Sequence, residues 1–341
     1  MQRWIGLTVL AVFCAMLFPA QAFSKASEIK LAFLGRVDPH KAAYSTGVVN
    51  FSHMVEKMSA ERMAVRIFPG GTLGDESDIL QAVMSNAVQM TLASMVTLSR
   101  IFPPAQLLMA PYIFKNDAIA WEVVDGPFGR KILDAITEKT GLKALAIMDT
   151  GFLAISNNRR PLRTLDDFRG IKFRAMGPLQ ANMFKALGAG GVPVPWPETY
   201  TSLQTGVVEG QTNAPFVVEV FKIYEVQKYL SLTNSQFGYQ IWLCNKAWYD
   251  ALSEADKGII RDAVEAGRIS TRAMALLREQ ESIEQLRKEG MTVNSLTAKE
   301  IEALQAAARP AGLEWLKSQM APDWVDEMMA AVSAAEKKLG Y

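Results

Sequence analysis

Residues 170–215 read GIKFRAMGPLQANMFKALGAGGVPVPWPETYTSLQTGVVEGQTNAP. Ile171 to Met176 alternates, with Ile171, Phe173 and Ala175 on one side and Lys172, Arg174 and Met176 on the other, which is the period of a strand. Gly177-Pro178 ends that strand and opens a helix to Leu187, proline being at home in a first helical turn. Gly188-Ala189-Gly190-Gly191 is read as a turn. It resembles a dinucleotide glycine loop only faintly, because Pro193 and Pro195 stand where that loop's helix would begin. A second helix covers Glu198 to Thr205, and a strand-like run ends at Asn213 before Pro215. Strand, helix, helix and strand in that order make an α/β unit.

The same unit supplies a candidate binding constellation. Arg174 ends one strand and Asn213 the other, and Trp196 sits between them in Pro195-Trp196-Pro197. Ligands of open α/β sheets lie beyond the carboxyl ends of the strands. Arginine's planar fork matches a carboxylate two bonds at a time. Asparagine adds a donor, and helix N-termini behind both residues add partial positive charge. A structural salt bridge or a solvated side chain is the alternative for Arg174, and core packing is the alternative for Trp196.

Outward from this unit, the first part of the chain repeats the rhythm. Ile29 to Leu34 is a buried strand, and Ala42 to Met58 has helical apolar spacing. Met63 to Phe68 alternates, and Pro69-Gly70-Gly71 turns the chain. Asp75 with Asp78 marks a helix start, and Met90 to Ala93 is a short strand. A helix is expected from about Asp117 to Thr140 and a strand from Leu142 to Met148. Helices at Pro178 to Leu187, Glu198 to Thr205 and Phe216 to Val226 follow. Ser253 caps a helix with little interruption to Gly290, long enough to lean on more than one domain. A strand near Met291 to Val293 and a capping box of Thr297 with Glu300 complete the pattern.

Residues 1–22 have the form of a secretory signal peptide: Arg3, an apolar run from Ile5 to Phe18, and Ala20-Gln21-Ala22 as a cleavage pattern. The run is short for a membrane span, which needs about 20 residues. The expectation is an exported, periplasmic chain starting at Phe23, with 341 − 22 = 319 residues. Removing Arg3 leaves 35 basic residues against 35 acidic ones, so nothing in the charge favours nucleic acid. Cys244 is the only cysteine after residue 22, and its setting in Ile241-Trp242-Leu243-Cys244 reads as a buried apolar residue.

Catalytic equipment is sparse. The two histidines, His40 and His53, are 13 residues apart, and no HExxH, CxxC, GxSxG or P-loop pattern occurs. Asp166 and Asp167 read as helix-start residues. No metal ligand cluster and no cofactor motif stands out, so binding is expected rather than catalysis.

Several segments together resemble the extracytoplasmic solute receptors of tripartite ATP-independent periplasmic (TRAP) transporters, of the DctP type. They are Phe68 to Asp75 (FPGGTLGD), Gly170 to Arg174 (GIKFR), Tyr200 to Gln211 (YTSLQTGVVEGQ) with Asn213, and Tyr224 to Leu230 (YEVQKYL). The resemblance covers nearly all of the chain after the signal. It implies an α/β, two-domain periplasmic binding protein fold, type II-like, with a ligand cleft between domains and a long C-terminal helix spanning both. The chain would cross between domains near Asp149 and near Gln236. One domain would then be 23–149 with about 237–275, and the other 150–236 with about 276–341. It also implies that Arg174 grips the substrate carboxylate, that Asn213 assists and that Trp196 contacts the substrate. The partners would be a small carboxylate and the TRAP permease subunits. A monomer is expected, some relatives forming dimers.

Two departures bear on the substrate. Many relatives carry a second arginine in a G-x-R-x-x-x-N segment, and here Gly151 to Asn157 has Leu153 at that position. Members selecting polyhydroxylated acids can carry an acid at the end of the third strand, and this chain has Ser94. The expectation is a monocarboxylate with a more apolar body than a sugar acid, unless Arg36 or Arg100 restores a second cation. Weaker candidates for the pocket are His40, after the first strand, and Phe33, Tyr44, Tyr200, Phe216 and Phe237. Rival readings are the receptor of an ATP-driven importer, a sensory module, and an exported lyase or isomerase using His40 or Glu198 as base.

Overall fold

The computed structural model describes residues 26–341, so the signal peptide expected at 1–22 lies outside the described residues. Among the described residues, eleven strands form two sheets. They are β1 (Ser27–Ala32), β2 (Met63–Phe68), β3 (Met90–Ser94), β4 (Leu142–Phe152), β5 (Ala154–Asn157), β6 (Lys172–Ala175), β7 (Gly190–Pro193), β8 (Gly210–Asn213), β9 (Tyr229–Leu232), β10 (Phe237–Asn245) and β11 (Thr292–Ser295). The first sheet runs β2-β1-β3-β10-β4 and the second β11-β9-β5-β8-β6-β7. β1, β2 and β3 are parallel, as the early strand–helix rhythm requires. β10 arrives late in the sequence and runs antiparallel between β3 and β4.

The chain passes from the first sheet to the second between Phe152 and Ala154, and returns between Leu232 and Phe237. The two crossings touch: the Leu153 amide donates to the Gln236 carbonyl at 2.9 Å. β4 is also tied to the helix Glu254–Lys288. Asp149 Oδ1 accepts from Arg272 Nε at 2.9 Å, and Oδ2 accepts from Trp121 Nε1 at 3.0 Å. Burial pushes the Asp149 carboxyl up, and Arg272 and Trp121 oppose that shift.

The helix Glu254–Lys288 has 35 residues, a length of about 53 Å at about 1.5 Å per residue. Its first half packs on the helix Ala43–Met58 and on β4, burying Ile260, Ala263, Val264 and Gly267. Its second half packs on the helix Pro215–Val220 and buries Ile283 and Leu286. Half-buried beside that contact, Arg278 pairs with Glu219. The long helix therefore does span both lobes.

Three expectations need correction. The helix expected over 117–140 is two, Asp117–Val124 and Pro127–Thr140, because Gly126 is extended and Pro127 starts a new first turn. The helix expected to reach Val226 stops at Val220, and the chain turns through Lys222 at φ 56° before a short 3-10 turn. Residues 276–341 are not all with the second sheet. The helix Ala298–Gln319 packs on the helix Pro178–Ala186, but the helix Pro322–Leu339 returns to the first lobe. There Val325, Met328 and Val332 join the cluster containing Phe128 and Ile132. Periodicity marks a buried face without saying which surface it covers.

Candidate functional site

A cavity of about 130 Å³ lies between the lobes. The second lobe contributes Arg174 and Met176 at the end of β6, Asn213 and Ala214 at the end of β8, and Trp196. Phe216, Val217 and Phe221 follow from the helix after β8 and the residue that closes it. The first lobe contributes Leu34, Gly35 and Arg36 after β1, Tyr44, Glu76 and Ser94. Thr150 and Leu153, and Gly238, Tyr239 and Gln240 of β10, close the side where the chain crosses.

Arg174 is only 4% exposed. The one hydrogen bond of its side chain to the described residues runs from Nε to the Val194 carbonyl at 2.9 Å, which leaves both terminal amino groups of the fork uncommitted. Its guanidinium carbon stands 5.7 Å from the Trp196 ring centroid, a contact that supports the cation without neutralising it. Burial pulls the guanidinium down to about 10, opposed by the negative charge of Glu76. At neutral pH Arg174 therefore stays charged. A buried charge is costly without a partner, and the cavity is where a partner would fit.

Asn213 donates one amide hydrogen to Gln211 Oε1 at 2.6 Å, which orients the side chain and leaves its second hydrogen for a ligand. Trp196 meets Phe221 edge-on, with centroids 4.9 Å apart at 84°. Arg36 lies over the far side of this pair, 5.1 Å from the Phe221 centroid, and reaches the Val220 carbonyl at 3.4 Å. Leu153 is buried at the crossing.

Of the residues expected at the site, Arg174, Asn213, Trp196, Leu153, Ser94 and Phe216 line the cavity, with Tyr44 and Arg36 among the weaker candidates. His40 does not: it is exposed in a turn where its amide donates to Asp38 Oδ1. Phe237 is also a correction, being core, packed against Phe114, Phe152 and Tyr239. Its successors Gly238, Tyr239 and Gln240 line the cavity instead, the register of β10 against β4 shifting between Phe237 and Tyr239. Phe33 is core, Tyr200 donates to Glu225, and Arg100 donates to Ser77 at the surface. Neither His40 nor Glu198 stands in the cavity with Arg174 as a base would have to.

Glu76 was missed. Its Oε1 accepts from the Ser94 amide at 2.6 Å and its Oε2 from Ser94 Oγ at 2.6 Å and from Thr97 Oγ1. An acidic group therefore does stand at the end of the third strand, carried there by a helix start rather than by position 94. Asp75 and Asp78 marked that helix start, but the inward turn of its first side chain has no sequence signal. Tyr239 and Gln240 were missed too, and both carry a buried oxygen without a protein partner.

The family model for bacterial extracellular solute-binding protein, family 7 (DctP), matches residues 34–318. The chain belongs to this family. It is 31% identical over 245 residues to the 2,3-diketo-L-gulonate-binding periplasmic protein YiaO of Escherichia coli (strain K12), covering 71% of this chain and 74% of that protein. It is 29% identical over 339 residues to the C4-dicarboxylate-binding periplasmic protein DctP of Rhodobacter capsulatus, covering 98% of each. The crystal structure of the sugar acid binding protein DctPAm of Advenella mimigardefordensis, in complex with galactonate, superimposes with a TM-score of 0.86 at 29% identity. That match covers 91% of this chain and 99% of the other. This family membership accounts for the two-lobed architecture and for the position of the cavity between the sheets.

Proposed function

We propose that this family member is the extracytoplasmic receptor of a TRAP-type transporter, capturing a small organic acid with one carboxylate and delivering it to a membrane permease. The observation that carries this is the buried Arg174, its terminal amino groups uncommitted in a cavity between two lobes. Asn213 and the apolar walls of Trp196, Met176 and Phe216 suit a carboxylate with a carbon chain behind it. Leu153 in place of a second arginine speaks for a single carboxylate. The names of the relatives support an acid ligand but span sugar acids and dicarboxylates. We take the moving bodies to be residues 26–149 with 237–275 and 322–339, against 150–236 with 276–319. Ligand would stabilise closure through contacts made to both.

The test is a thermal-shift screen of the mature chain against organic acids, after mass spectrometry of a denatured extract has shown whether it was purified loaded. A ligand at about 100 times its Kd adds about 2.7 kcal/mol of stability, a shift of a few degrees. One class of acids should raise the melting temperature, and Arg174→Ala should abolish the rise. Absence of any shift from an unloaded protein would overturn the proposal.

A further inference from the structure

Resting on the lobe movement of that reading, we propose that Tyr112 is a positioning residue, the fixed point about which the lobes turn: a side chain of the first lobe anchored in the core of the second. Tyr112 lies between the 3-10 helix Pro103–Met109 and the helix Asp117–Val124, both of the first lobe. Its backbone is left-handed, at φ 53°, a genuine outlier for a bulky residue. The other non-glycine residues of positive φ among those described, Ala60, Glu61, Asn86, Lys222 and Asn234, are exposed, whereas Tyr112 is buried. Backbone strain of this kind persists only where the surroundings over-determine it.

Those surroundings belong to the other lobe. Tyr112 packs in the cluster of Ile155, Phe173, Phe184 and Leu304, whose other buried members all come from the second lobe. Ala110 and Ile113, on either side of Pro111-Tyr112, sit instead in the cluster with Phe128 and Ile132. Pro111 is seated on the helix Ala298–Gln319 at Gly312, where a Cβ would stand 2.6 Å from Pro111 Cδ. The Tyr112 amide donates to the Ser235 carbonyl at 2.8 Å, within the chain's return crossing. Beside it Gln236 Nε2 donates to the Met109 carbonyl at 2.6 Å, and Gln180 Nε2 donates to Gln236 Oε1 at 2.7 Å. The Met176 amide donates to Gln180 Oε1 at 2.8 Å, and Met109 and Met176 both line the cavity. The contact of Leu153 with Gln236 brings the outward crossing to the same place. Tyr112 OH is buried without a protein partner, so packing rather than a hydrogen bond holds the ring. Packed cores shift between discrete arrangements and do not deform continuously. Residues 110–112 therefore travel with the second lobe, and the first lobe bends on either side of them.

The experiment measures the distance between the lobes by pulsed electron resonance. Spin labels are placed at Leu73→Cys on the first lobe and Val207→Cys on the second, both exposed positions. The mature chain is freed of ligand by unfolding and refolding. The wild-type protein should show a closed and a wider population, each narrow. Tyr112→Ala should broaden the distribution and extend it to longer distances. Tyr112→Phe, which keeps the ring and removes the unpartnered hydroxyl, should restore the wild-type distribution. Leu304→Ala, a cavity in the same cluster, should lower the melting temperature and leave the distances alone. Gly312→Ala, which leaves Tyr112 in place and pushes Pro111 off its seat, should broaden the distribution as Tyr112→Ala does. A wild-type distribution in Tyr112→Ala overturns the proposal; where that variant does not fold, a wild-type distribution in Gly312→Ala overturns it equally. Broadening in Leu304→Ala as large as in Tyr112→Ala also overturns it, since loss of stability alone would then suffice. If the wild-type labels report a single narrow distance that no variant moves, the lobes do not open, and the closure reading fails together with the pivot. Two wild-type populations with no response to Tyr112→Ala would sink the pivot alone.

Discussion

Lysine at position 174 would keep the charge and lose the fork. Nε already holds the Val194 carbonyl, so the arginine is oriented before ligand arrives. Arg174→Lys should therefore weaken ligand binding by the worth of a charge-assisted hydrogen bond, about 1.5–3 kcal/mol, in a titration where the melting temperature of the empty protein hardly moves. The pH profile follows from the same side chain. Arg174 is charged below about 10, and a ligand carboxyl is ionised above about pH 4. Affinity should thus be flat from roughly pH 6 to 9, fall on the acid side as the ligand takes up a proton, and fall again above about 10 as Arg174 loses one. A steep change near neutrality would mean that some other group governs binding. Arg174, Asn213 and Trp196 were legible because each follows a recognisable strand or proline signal. Glu76 was not, because a residue at a helix start can turn toward water or toward the neighbouring strand, and only the packed neighbour decides.

Where two helices cross, residue size matters more than helical propensity. A Cβ built on Gly47 would lie 2.1 Å from Thr271 Oγ1 and 2.6 Å from the Gly267 carbonyl, so the helix Ala43–Met58 and the long helix approach backbone to backbone. Gly47→Ala should lower stability by about 1–3 kcal/mol, the cost of overpacking. Gly258, near the start of the long helix, has only the end of the Arg261 side chain within 4 Å of such a Cβ. Gly258→Ala should therefore raise stability by roughly 0.5–1 kcal/mol. Thermal melts of the two variants should move in opposite directions; movement in the same direction would refute the crossing argument. The helices Ala43–Met58 and Glu254–Lys288 were readable from apolar spacing and from the Ser253 cap. The break at Gly126-Pro127 was overlooked because the apolar spacing continues across it. β10 escaped notice as a strand because its burial on both faces removes the alternation that reveals an edge strand.

Across the whole molecule, four side chains connect the lobes in one stack: Arg36 on Phe221, Phe221 on Trp196, Trp196 beside Arg174. Arg36 belongs to the first lobe and the other three to the second, so its two contacts would be lost if the lobes opened as proposed. Arg36→Ala should loosen binding a few-fold, in line with about 0.5–1 kcal/mol for an exposed cation–π contact. Stopped-flow traces should place that change in the release rate, with the order of preference among monocarboxylates unaltered. A change confined to the association rate would argue against a closure contact. The two-lobed architecture was legible from the family-like segments; the return of the last helix to the first lobe was not, since nothing in its apolar face names a partner.

The position of β10 has a consequence for how the chain is made. β3 and β4 have no strand between them until residues 237–245 exist, and by then the whole of β5 to β9 has been synthesised. The first sheet therefore cannot close as it emerges from the ribosome. The open edge of β3 waits 237 − 94 = 143 residues for its partner and that of β4 237 − 152 = 85, and pairings this distant in sequence form slowly. For a chain expected to cross a membrane before folding, that delay helps: the nascent polypeptide remains threadable through a narrow translocation pore and finishes its sheet on the far side.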